Sequence, residues 1–417
     1  MLRFSPVAAL AAALIAGSAA AATGGLDVAA DGGRLHRLES PSGPNVALNY
    51  RRSDDGGKTW TAPVRVDGGR PAYHFGAGEA RVAGDGSRVF ALWARPGRGP
   101  HGSGPLAVAV STDGGKTWTA GASPAGAGSV GRRFPALVAA DGAVHAFWLD
   151  RASNAKLLAS RSTDGAKSWS KPVVVDEDVC ECCWNAALAA DGAVWVLYRD
   201  KDPRDMGAAV SRDGGRTWSK PARPGAFGWG FDGCPHVGGA LAPAKGGVAA
   251  LVWTGKSEDA GLYVFETANG ADWKRAARLG GAGAKHADMA TSGTKQAVVW
   301  DEEGKFTARR ATPGVSRGFS PRRAAIRGSP PSKAASASSG AGKRGRERRR
   351  SRELQNVATS VPDVEVANSW NFSHSSVVYR VWDAEHGFTF TMPFITPTRG
   401  ALIGKIYSET PAIGFSF

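Results

Sequence analysis

A turn motif of the form S-x-D-x-G-x-[ST]-W is repeated along the chain, and this repetition limits the possible folds more than any other feature. Four good copies begin at Ser53, Ser111, Ser162 and Ser211, and a degenerate fifth copy begins at Glu266. The successive starts are 58, 51, 49 and 55 residues apart. A period near fifty residues indicates one supersecondary unit that is copied along the chain.

The motif has the composition of a tight turn between two β-strands. Its Asp can accept backbone N–H bonds within the turn, and its glycines can adopt positive φ. The Trp that ends it offers a large face for packing against a neighbouring unit. Because the turn itself occupies the carboxylate, we interpret the motif as scaffold and not as a catalytic acid. The scaffold residues are Asp55, Trp60, Asp113, Trp118, Asp164, Trp169, Asp213 and Trp218.

Short apolar runs surround every copy of the motif and are separated by D-G turns. The third unit, for example, reads FPALVAADG, AVHAFWLDR and KLLASRS before its motif. Apolar runs of this length, continuous or alternating, predict an all-β chain. Six units of three or four strands can be traced up to residue 312, and a closed ring would leave them few exposed sheet edges.

The repeated motif resembles the Asp-box, or BNR repeat, of sialidases and related proteins. The resemblance covers roughly Gly24 to Thr312. It implies a six-bladed β-propeller of four-stranded antiparallel blades with Asp-box turns, formed by residues 23–312. Asp-boxes also occur in propellers that are not sialidases, so the resemblance says more about the fold than about the activity.

Residues 1–22 have the pattern of a signal peptide. Arg3 precedes a short apolar run from Val7 to Ala16, and small residues after this run offer cleavage sites. The run is too short to span a bilayer as a stable helix. We therefore expect an exported protein, periplasmic or secreted, without a transmembrane segment and in an oxidising compartment.

Most of the net positive charge comes from one segment. The formal net charge is +15, and residues 313–353 supply +10 of it through 12 Lys and Arg against two Glu. This segment is rich in Arg, Ser and Pro and nearly free of apolar residues, so we predict a disordered linker. An anion-binding tail is the alternative function for it. The rest of the chain is only mildly basic, so nucleic acid is not expected as a partner.

Residues 354–417 differ in character from the repeats. They are aromatic and strand-prone, as in SVVYRVW and GFTFTMPFI, and they lack the Asp-box and the D-G spacing. The change falls where the sixth unit should receive its last strand. This atypical tail is either the product of a shifted reading frame or a small added β domain, and the sequence does not separate the two.

Polar residues concentrate at one predicted mouth of the propeller. In the usual blade topology, residues just before each first strand and in each loop between the second and third strands lie at this mouth. A solvated loop explains any single arginine there better than binding does, and only the concentration of polar residues indicates binding. The residues assigned to substrate binding are Arg132, Arg151, His236, His286 and Asp288.

The resemblance to sialidases implies a catalytic set at the same mouth. Sialidases bind a substrate carboxylate with three arginines, because guanidinium pairs with carboxylate in a bidentate way. They also use a Tyr nucleophile that a Glu activates. By resemblance, the clamp would be Arg81, Arg133 and Arg199. Glu79 would be the activating base, and Tyr263 or Tyr73 the nucleophile. The F-R-I-P type motif that carries the first clamp arginine of sialidases is missing before the first Asp-box.

The four cysteines are not explained by the sialidase pattern. Cys180, Cys182 and Cys183 in CECC, and Cys234 in GCPH, precede the first strands of neighbouring units, so we expect them close together. In an exported protein the first expectation is disulfide bonds, for instance one that joins the fourth blade to the fifth. The alternative is a Cu or Zn site with the ligands Cys182, Cys183, Cys234 and His236. Reactive thiols are a third possibility, and no cofactor is required.

Two functions of different classes follow from these patterns. One is an exo-sialidase-type glycoside hydrolase that acts on terminal acidic sugars of a glycan or glycoconjugate. The other is a non-catalytic propeller that binds a glycan, a protein or a soft metal at the same mouth. The missing arginine motif favours the second function, and the arginine-rich mouth favours the first. Of the two, we expect a secreted, sialidase-like propeller directed at carbohydrate, and in both cases a monomer.

Overall fold

The computed structural model describes residues 23–311, except 42, 75–79, 100–101, 127–130, 151–153, 293–294 and 303–304, and also short strands between residues 376 and 416. The regular elements of this described part are β-strands, without an α-helix. The all-β prediction is therefore confirmed. The predicted signal peptide and linker lie outside the described residues. Among the described residues, no helix has the length and apolar character needed to cross a membrane.

Three antiparallel sheets form the first half of the repeat region. The first contains β1 (Thr23–Asp31), β2 (Arg34–Pro41), β4 (Asn49–Ser53) and β5 (Val64–Arg65). The second contains β7 (Ala80–Asp85), β8 (Arg88–Pro96), β9 (Ser103–Ser111) and β10 (Thr119–Gly121). The third contains β11 (Arg132–Ala140), β12 (Ala143–Asp150), β13 (Lys156–Ser162) and β14 (Val173–Asp176). In each of them, consecutive strands of this order are hydrogen-bonded.

Three further sheets follow, and two of them have only three strands. The fourth contains β15 (Ala186–Ala190), β16 (Ala193–Arg199) and β17 (Met206–Ser211). The fifth contains β18 (Ala240–Ala244), β19 (Gly247–Thr254), β20 (Gly261–Thr267) and β21 (Lys274–Gly280). The sixth contains β22 (Ala284–Ser292), β23 (Lys295–Glu302) and β24 (Lys305–Ala311). The prediction of four strands per unit therefore holds for four of these six sheets.

The remaining strands belong to two small sheets. A two-stranded sheet pairs β3 (Gly43–Val46) with β6 (Ala72–His74). In the tail, β25 (Ser376–Asp383) pairs with β26 (Phe388–Thr389), β27 (Met392–Ile395) and β28 (Phe415–Ser416). The two origins predicted for the tail, a shifted reading frame and an added domain, are both compatible with this backbone pairing.

Neighbouring sheets are held side by side through their first strands. In chain order, β1 contacts β7, β7 contacts β11, β11 contacts β15, β15 contacts β18, and β18 contacts β22. The tail sheet touches both ends of this row, since β25 contacts β1 and β27 contacts β22. The residues that precede the first strands are therefore brought into neighbouring positions, although about fifty residues separate them in sequence.

The second strands are buried on both faces and fill the spaces between the sheets. In β12, Trp148 packs towards the second sheet against Phe90 and Leu92. Its chain neighbours Phe147 and Leu149 pack towards the fourth sheet. Successive side chains of a strand point to opposite faces, so a continuous apolar run supplies two cores. Truncating a buried Trp to Ala costs about 3–5 kcal/mol, so these cores hold the sheets together.

The Asp-box turns are closed by their own side chains. In the second box, Asp113 Oδ1 accepts bonds from the backbone N–H groups of Lys116 at 3.0 Å and Thr117 at 2.9 Å. The Thr117 hydroxyl donates to Asp113 Oδ2 at 2.6 Å. These bonds lower the pKa of Asp113, and the bond from the Thr117 hydroxyl contributes most. Both carboxylate oxygens are thus engaged within the turn, and an ionised carboxylate has no proton to donate.

The second box also packs on the first sheet. In the second box, Gly115 has φ +90 and lies so close to Tyr50 of the first sheet that an added Cβ would stand 2.0 Å from the ring. Arg52 Nη1 of the first sheet donates to the carbonyl of Gly114 at 2.8 Å. Glycine at position 115 is therefore required both by its backbone conformation and by the close approach of the ring.

The degenerate fifth box keeps the same turn with different residues. Thr267 Oγ1 accepts a bond from Gly270 N at 2.9 Å, as the box Ser does elsewhere. Asn269 takes the place of the box Asp, because its Oδ1 accepts bonds from the backbone N–H groups of Ala271 and Asp272, both at 2.9 Å. Its amide donates to the Asp272 carboxylate at 2.8 Å. The turn has therefore survived the loss of the motif's Asp.

Candidate functional site

The segment 179–185, which precedes the fourth sheet, is tied to its surroundings at both ends. Val179 N donates to the carbonyl of Ala155, and Cys180 N donates to the carbonyl of Arg199 at 2.9 Å. At the other end, the buried Asn185 donates through Nδ2 to the carbonyl of Phe134 at 2.9 Å. Because both ends are fixed, the turn between them directs its cysteines into the protein.

Cys180, Cys182 and Cys183 form a cluster that we call the thiol triad. All three side chains are buried. The Sγ–Sγ distances are 3.3 Å between Cys180 and Cys182, 3.8 Å between Cys180 and Cys183, and 4.0 Å between Cys182 and Cys183. Three thiols from four consecutive residues therefore meet at van der Waals contact.

The predicted disulfide bonds are not formed in this structure. All four cysteines, including Cys234, are free thiols. A disulfide needs an S–S distance of about 2.05 Å, and the shortest distance within the thiol triad is 3.3 Å. The tight turn holds the sulfur atoms together without the bonding geometry, and the disulfide pairing stays a prediction.

The three thiols differ in acidity because they share hydrogen bonds in a buried place. Hydrogen bonding with Cys182 and then with Cys183 lowers the pKa of the Cys180 thiol. Hydrogen bonding with Cys180, and then with Cys183, raises the pKa of the Cys182 thiol. Burial raises the pKa of Cys183. Cys180 is thus the most acidic of the three thiols.

A second group of ligand atoms adjoins the thiol triad. The ligand atoms of Cys182, Cys234 and His236 lie within 4.8 Å of one another, and we call these residues the outer group. Cys234 and His236 are exposed on the loop before the fifth sheet. Arg204 Nε supports this loop by donating to the carbonyl of Phe231 at 3.0 Å. The two groups together could hold a metal ion.

Trp184 connects the cysteine segment to the sixth sheet. Its ring stacks on His286 with the centroids 6.0 Å apart, and His286 Nδ1 pairs with Asp301 Oδ1 at 2.7 Å. Trp184 also lies against Gly238, just before the fifth sheet, where an added Cβ would stand 2.4 Å from the Trp184 Nε1. Trp184 therefore contacts residues near the start of the fifth and the sixth sheet. The cysteine segment lies beside the start of both sheets.

Three of the predicted arginines lie near each other at the start of the second and third sheets. Arg81 Nε donates to the carbonyl of Pro135 at 2.9 Å, and its Nη1 pairs with Asp27 at 3.2 Å. Arg132 pairs with Asp150 at 3.5 Å. The Arg133 guanidinium lies 4.4 Å from the centre of the Phe134 ring. Each has a partner within the protein.

Arg199 is the most deeply buried of the predicted clamp residues, with 1% of its surface exposed. Its Nε and Nη2 both donate to the carbonyl of Val237 at 3.0 Å, and Nη2 also donates to the carbonyl of Trp253 at 3.0 Å. Nη1 donates to the carbonyl of Arg204 at 2.6 Å. In this structure Arg199 ties the fourth sheet to the fifth and does not point at the other two clamp arginines.

The predicted tyrosines are buried among the sheets. Tyr263 has 1% exposure, and its hydroxyl donates to the carbonyl of Asp259 at 2.6 Å. Tyr73 is also buried. Asp288 accepts a bond from Met289 N at 2.8 Å. The predicted residues Glu79 and Arg151 lie outside the described residues, so the catalytic set stays a prediction.

Sequence reasoning did not assign a role to Trp184 or to Asn185. Trp184 spans three sheets, and Asn185 anchors the cysteine segment to the third sheet. Both follow directly after CECC, in front of the strand. These two side chains stand between a cysteine cluster and an apolar strand. Their position was the sequence signal that this segment is anchored and that Trp184 partly fills the mouth.

The chain matches the profile of the BNR repeat-like domain over residues 36–223. The matched residues contain the four good copies of the turn motif, so the interpretation of these copies as BNR repeats is confirmed. A search among curated proteins found no match.

Similar solved structures include both sialidases and a protein without a known function. A Hadza microbial sialidase, Hz136, has 16% identity and a TM-score of 0.41, covering 69% of this chain and 65% of its own. A protein of unknown function from Dyadobacter fermentans has 17% identity and a TM-score of 0.44, covering 70% and 92%. An intramolecular trans-sialidase from Ruminococcus gnavus has 12% identity and a TM-score of 0.45, covering 72% and 96%. This chain therefore spans less than two thirds of the Hadza sialidase, and the functional proposal rests on its own residues.

Proposed function

We propose that this BNR-repeat protein is a six-bladed β-propeller that binds a soft metal ion, Cu(I) in preference to Zn(II), at the mouth that carries the thiol triad. Closure of the six sheets into a ring is part of the proposal. It is supported by the unbroken row of contacts from β1 to β22. The propeller would supply a rigid frame, and the cysteine segment would supply the ligands.

One observation carries the proposal, namely the mutual distances of the three buried sulfur atoms. With metal–sulfur bonds of about 2.3 Å, ligands of a tetrahedral site stand about 3.8 Å apart, and those of a trigonal site about 4.0 Å apart. The thiol triad has Sγ–Sγ distances of 3.3, 3.8 and 4.0 Å. The ligands are therefore already spaced for chelation, and binding needs little rearrangement.

The number and type of ligands favour Cu(I). Thiolates are soft ligands that select Cu(I) and Zn(II) over hard cations. Structural Zn(II) is almost always held by four protein ligands. The buried group found among the described residues has three sulfur atoms and no fourth ligand, which suits the lower coordination numbers of Cu(I).

Export would strengthen the case for a metal site. We propose, from residues 1–22, that the protein acts in the periplasm or outside the cell. Closely spaced free thiols would be oxidised in such a compartment. A bound soft metal would protect them, because the sulfur lone pairs that react with oxidants would be engaged with the ion.

The test is an anaerobic titration of the full-length reduced protein with Cu(I) in competition with a chromophoric Cu(I) chelator. We expect the wild type to withdraw copper from the chelator and Cys183→Ala to lose this ability. Val179→Ala is the matched control, because Val179 is equally buried in the same segment but offers no ligand. It should retain copper. Failure of the folded wild type to take copper from the chelator would refute the proposed metal site.

A carbohydrate-directed activity is the second candidate. It is favoured by the bond between Arg81 and the Pro135 carbonyl, which brings Arg81 next to the Arg132–Arg133 pair. Three guanidinium groups near one mouth suit a terminal acidic sugar. Release of sialic acid from a fluorogenic sialoside by the wild type, and its loss in Arg133→Ala, would establish a glycoside hydrolase. Absence of turnover by the folded protein would rule out this substrate class.

A further inference from the structure

Cys182 is the only residue that belongs to both ligand groups found in the described part of the chain. Its Sγ lies 3.3 Å and 4.0 Å from the other two sulfur atoms of the thiol triad. It also lies within 4.8 Å of the ligand atoms of Cys234 and His236. Neither Cys234 nor His236 is grouped with Cys180 or Cys183. The five ligands therefore form two triangles that share one corner.

A thiolate at a shared corner can bridge two metal ions, because sulfur has more than one lone pair available for ligation. We infer that the protein binds two Cu(I) ions, one in the thiol triad and one in the outer group, with the Cys182 thiolate as the bridge. This inference rests on the proposed metal-binding function. It adds a second, exposed site and gives each ion three ligands.

The two sites differ in their access to solvent. Cys180 and Cys183 are 2% and 1% exposed, and the shared Cys182 is 6% exposed. Cys234 and His236 are exposed on their loop. An ion in the outer group can therefore be reached by a chelator in solution, whereas an ion in the thiol triad is covered by protein. The geometry points to an inner ion that is retained and an outer ion that is exchanged.

Proton balance follows from the ligands. Each thiol that becomes a metal ligand gives its proton to solvent. No electron is transferred, because copper enters and leaves as Cu(I). Loading of both sites thus consumes two Cu(I) ions and releases the protons that remain on the four thiols, and removal by a chelator reverses the step.

The experiment uses the full-length protein, reduced and loaded anaerobically with Cu(I), then desalted and analysed for copper per chain. We expect two ions in the wild type and one in Cys234→Ser/His236→Gln. Asp232→Asn is the matched control, since it lies exposed on the same loop outside the outer group, and it should keep two ions. A chelator in excess should remove one wild-type ion quickly and the other slowly.

X-ray absorption at the copper edge tests the bridge itself. Copper–copper scattering should be present in the wild type and absent from the outer-loop double variant. Cys182→Ser should lose both ions, whereas Cys180→Ser should keep the outer ion. Thermal unfolding of each variant without metal shows that it is folded.

The other outcomes overturn the inference in distinguishable ways. Two ions without copper–copper scattering, with only one lost in Cys182→Ser, would mean separate sites without a bridge. One wild-type ion that is lost in both Cys183→Ser and the outer-loop double variant would mean a single site with shared ligands. No retained ion in the folded wild type would refute the metal-binding function, and with it the bridge.

Discussion

The Asp-box turns and the cysteine segment are both polar turns next to a β-strand, yet they use their polar atoms in opposite ways. In an Asp-box, the Ser hydroxyl and both carboxylate oxygens are bonded within the same turn. In the cysteine segment, backbone bonds fix one end and the Asn185 side chain fixes the other, and the three thiols contact mainly each other. The turn that is copied four times is closed on itself, and the turn that occurs once keeps ligand atoms available. This difference separates scaffold from candidate site.

The largest expected effect comes from substituting one residue in each of the two regions. Cys183→Ala should weaken Cu(I) binding by about 100-fold or more, because loss of even a supporting contact to a metal ligand costs about 10–100-fold. Asp113→Ala should leave copper affinity unchanged and lower the melting temperature. Copper competition titrations and thermal unfolding of both variants check this. Equal copper affinity in Cys183→Ala and wild type would break the comparison.

The next effect concerns the scaffold alone. Ser111→Ala should reduce the free energy of unfolding by about 2–3 kcal/mol, because the buried N–H of Gly115 loses its acceptor. Thr112→Ala is the matched control at an exposed position of the same turn, and it should change stability little. Denaturant unfolding measures both. A Ser111→Ala protein as stable as its control would show that the turn does not depend on its internal bonds.

An effect of similar size is expected from pH at the contact between the fourth box and the preceding sheet. Burial against the fourth box lowers the pKa of His145 from 6.5 to about 4. The folded state therefore binds this proton more weakly than the unfolded state, so stability falls as the pH decreases from 6.5 towards 4. The loss should be about 2–3 kcal/mol at pH 4.5.

Unfolding of His145→Gln at pH 7.5 and pH 4.5 provides the check. Its stability should depend less on pH than that of the wild type. His236→Gln, at an exposed position, should retain the wild-type dependence in the metal-free protein. An unchanged pH dependence in His145→Gln would exclude this residue as its source.

The smallest expected effect on stability concerns the degenerate fifth box and the pair of side chains that closes its turn. Asn269→Asp should destabilise the protein by about 0.5–1 kcal/mol, because it removes an amide donor and places two carboxylates side by side. Combining it with Asp272→Thr should recover the loss, since Thr supplies the hydroxyl donor of an intact box. A double-mutant cycle measures the coupling. Additive single effects would mean that the two side chains do not depend on each other.

Much of the fold could be predicted because its determinants are local. The turn bonds of Asp113 and Ser111 lie within one motif, and the apolar runs reveal strands through their period of two. The approach of Cys182 to Cys234 was also predictable, since both precede first strands of neighbouring units. The distances between the sulfur atoms were not, because the backbone geometry of the turn decides them.

The directions of long polar side chains could not be predicted. Arg199 was expected at the mouth, but it donates to carbonyls 38 and 54 residues further along the chain. Tyr263 is buried in β20, although it was a candidate nucleophile. A shift of one residue in a strand turns a side chain to the other face, and the sequence does not specify such a shift. The clamp and nucleophile assignments therefore stay predictions.

The most direct test of the account is the copper-edge X-ray absorption spectrum of the full-length protein after loading with Cu(I) and desalting. We predict that copper stays bound and that sulfur dominates its first shell, with that signal weakened in Cys183→Ala and unchanged in Val179→Ala. Copper lost on desalting, or a first shell of nitrogen and oxygen without sulfur, would contradict the claim that the cysteine segment is a metal site.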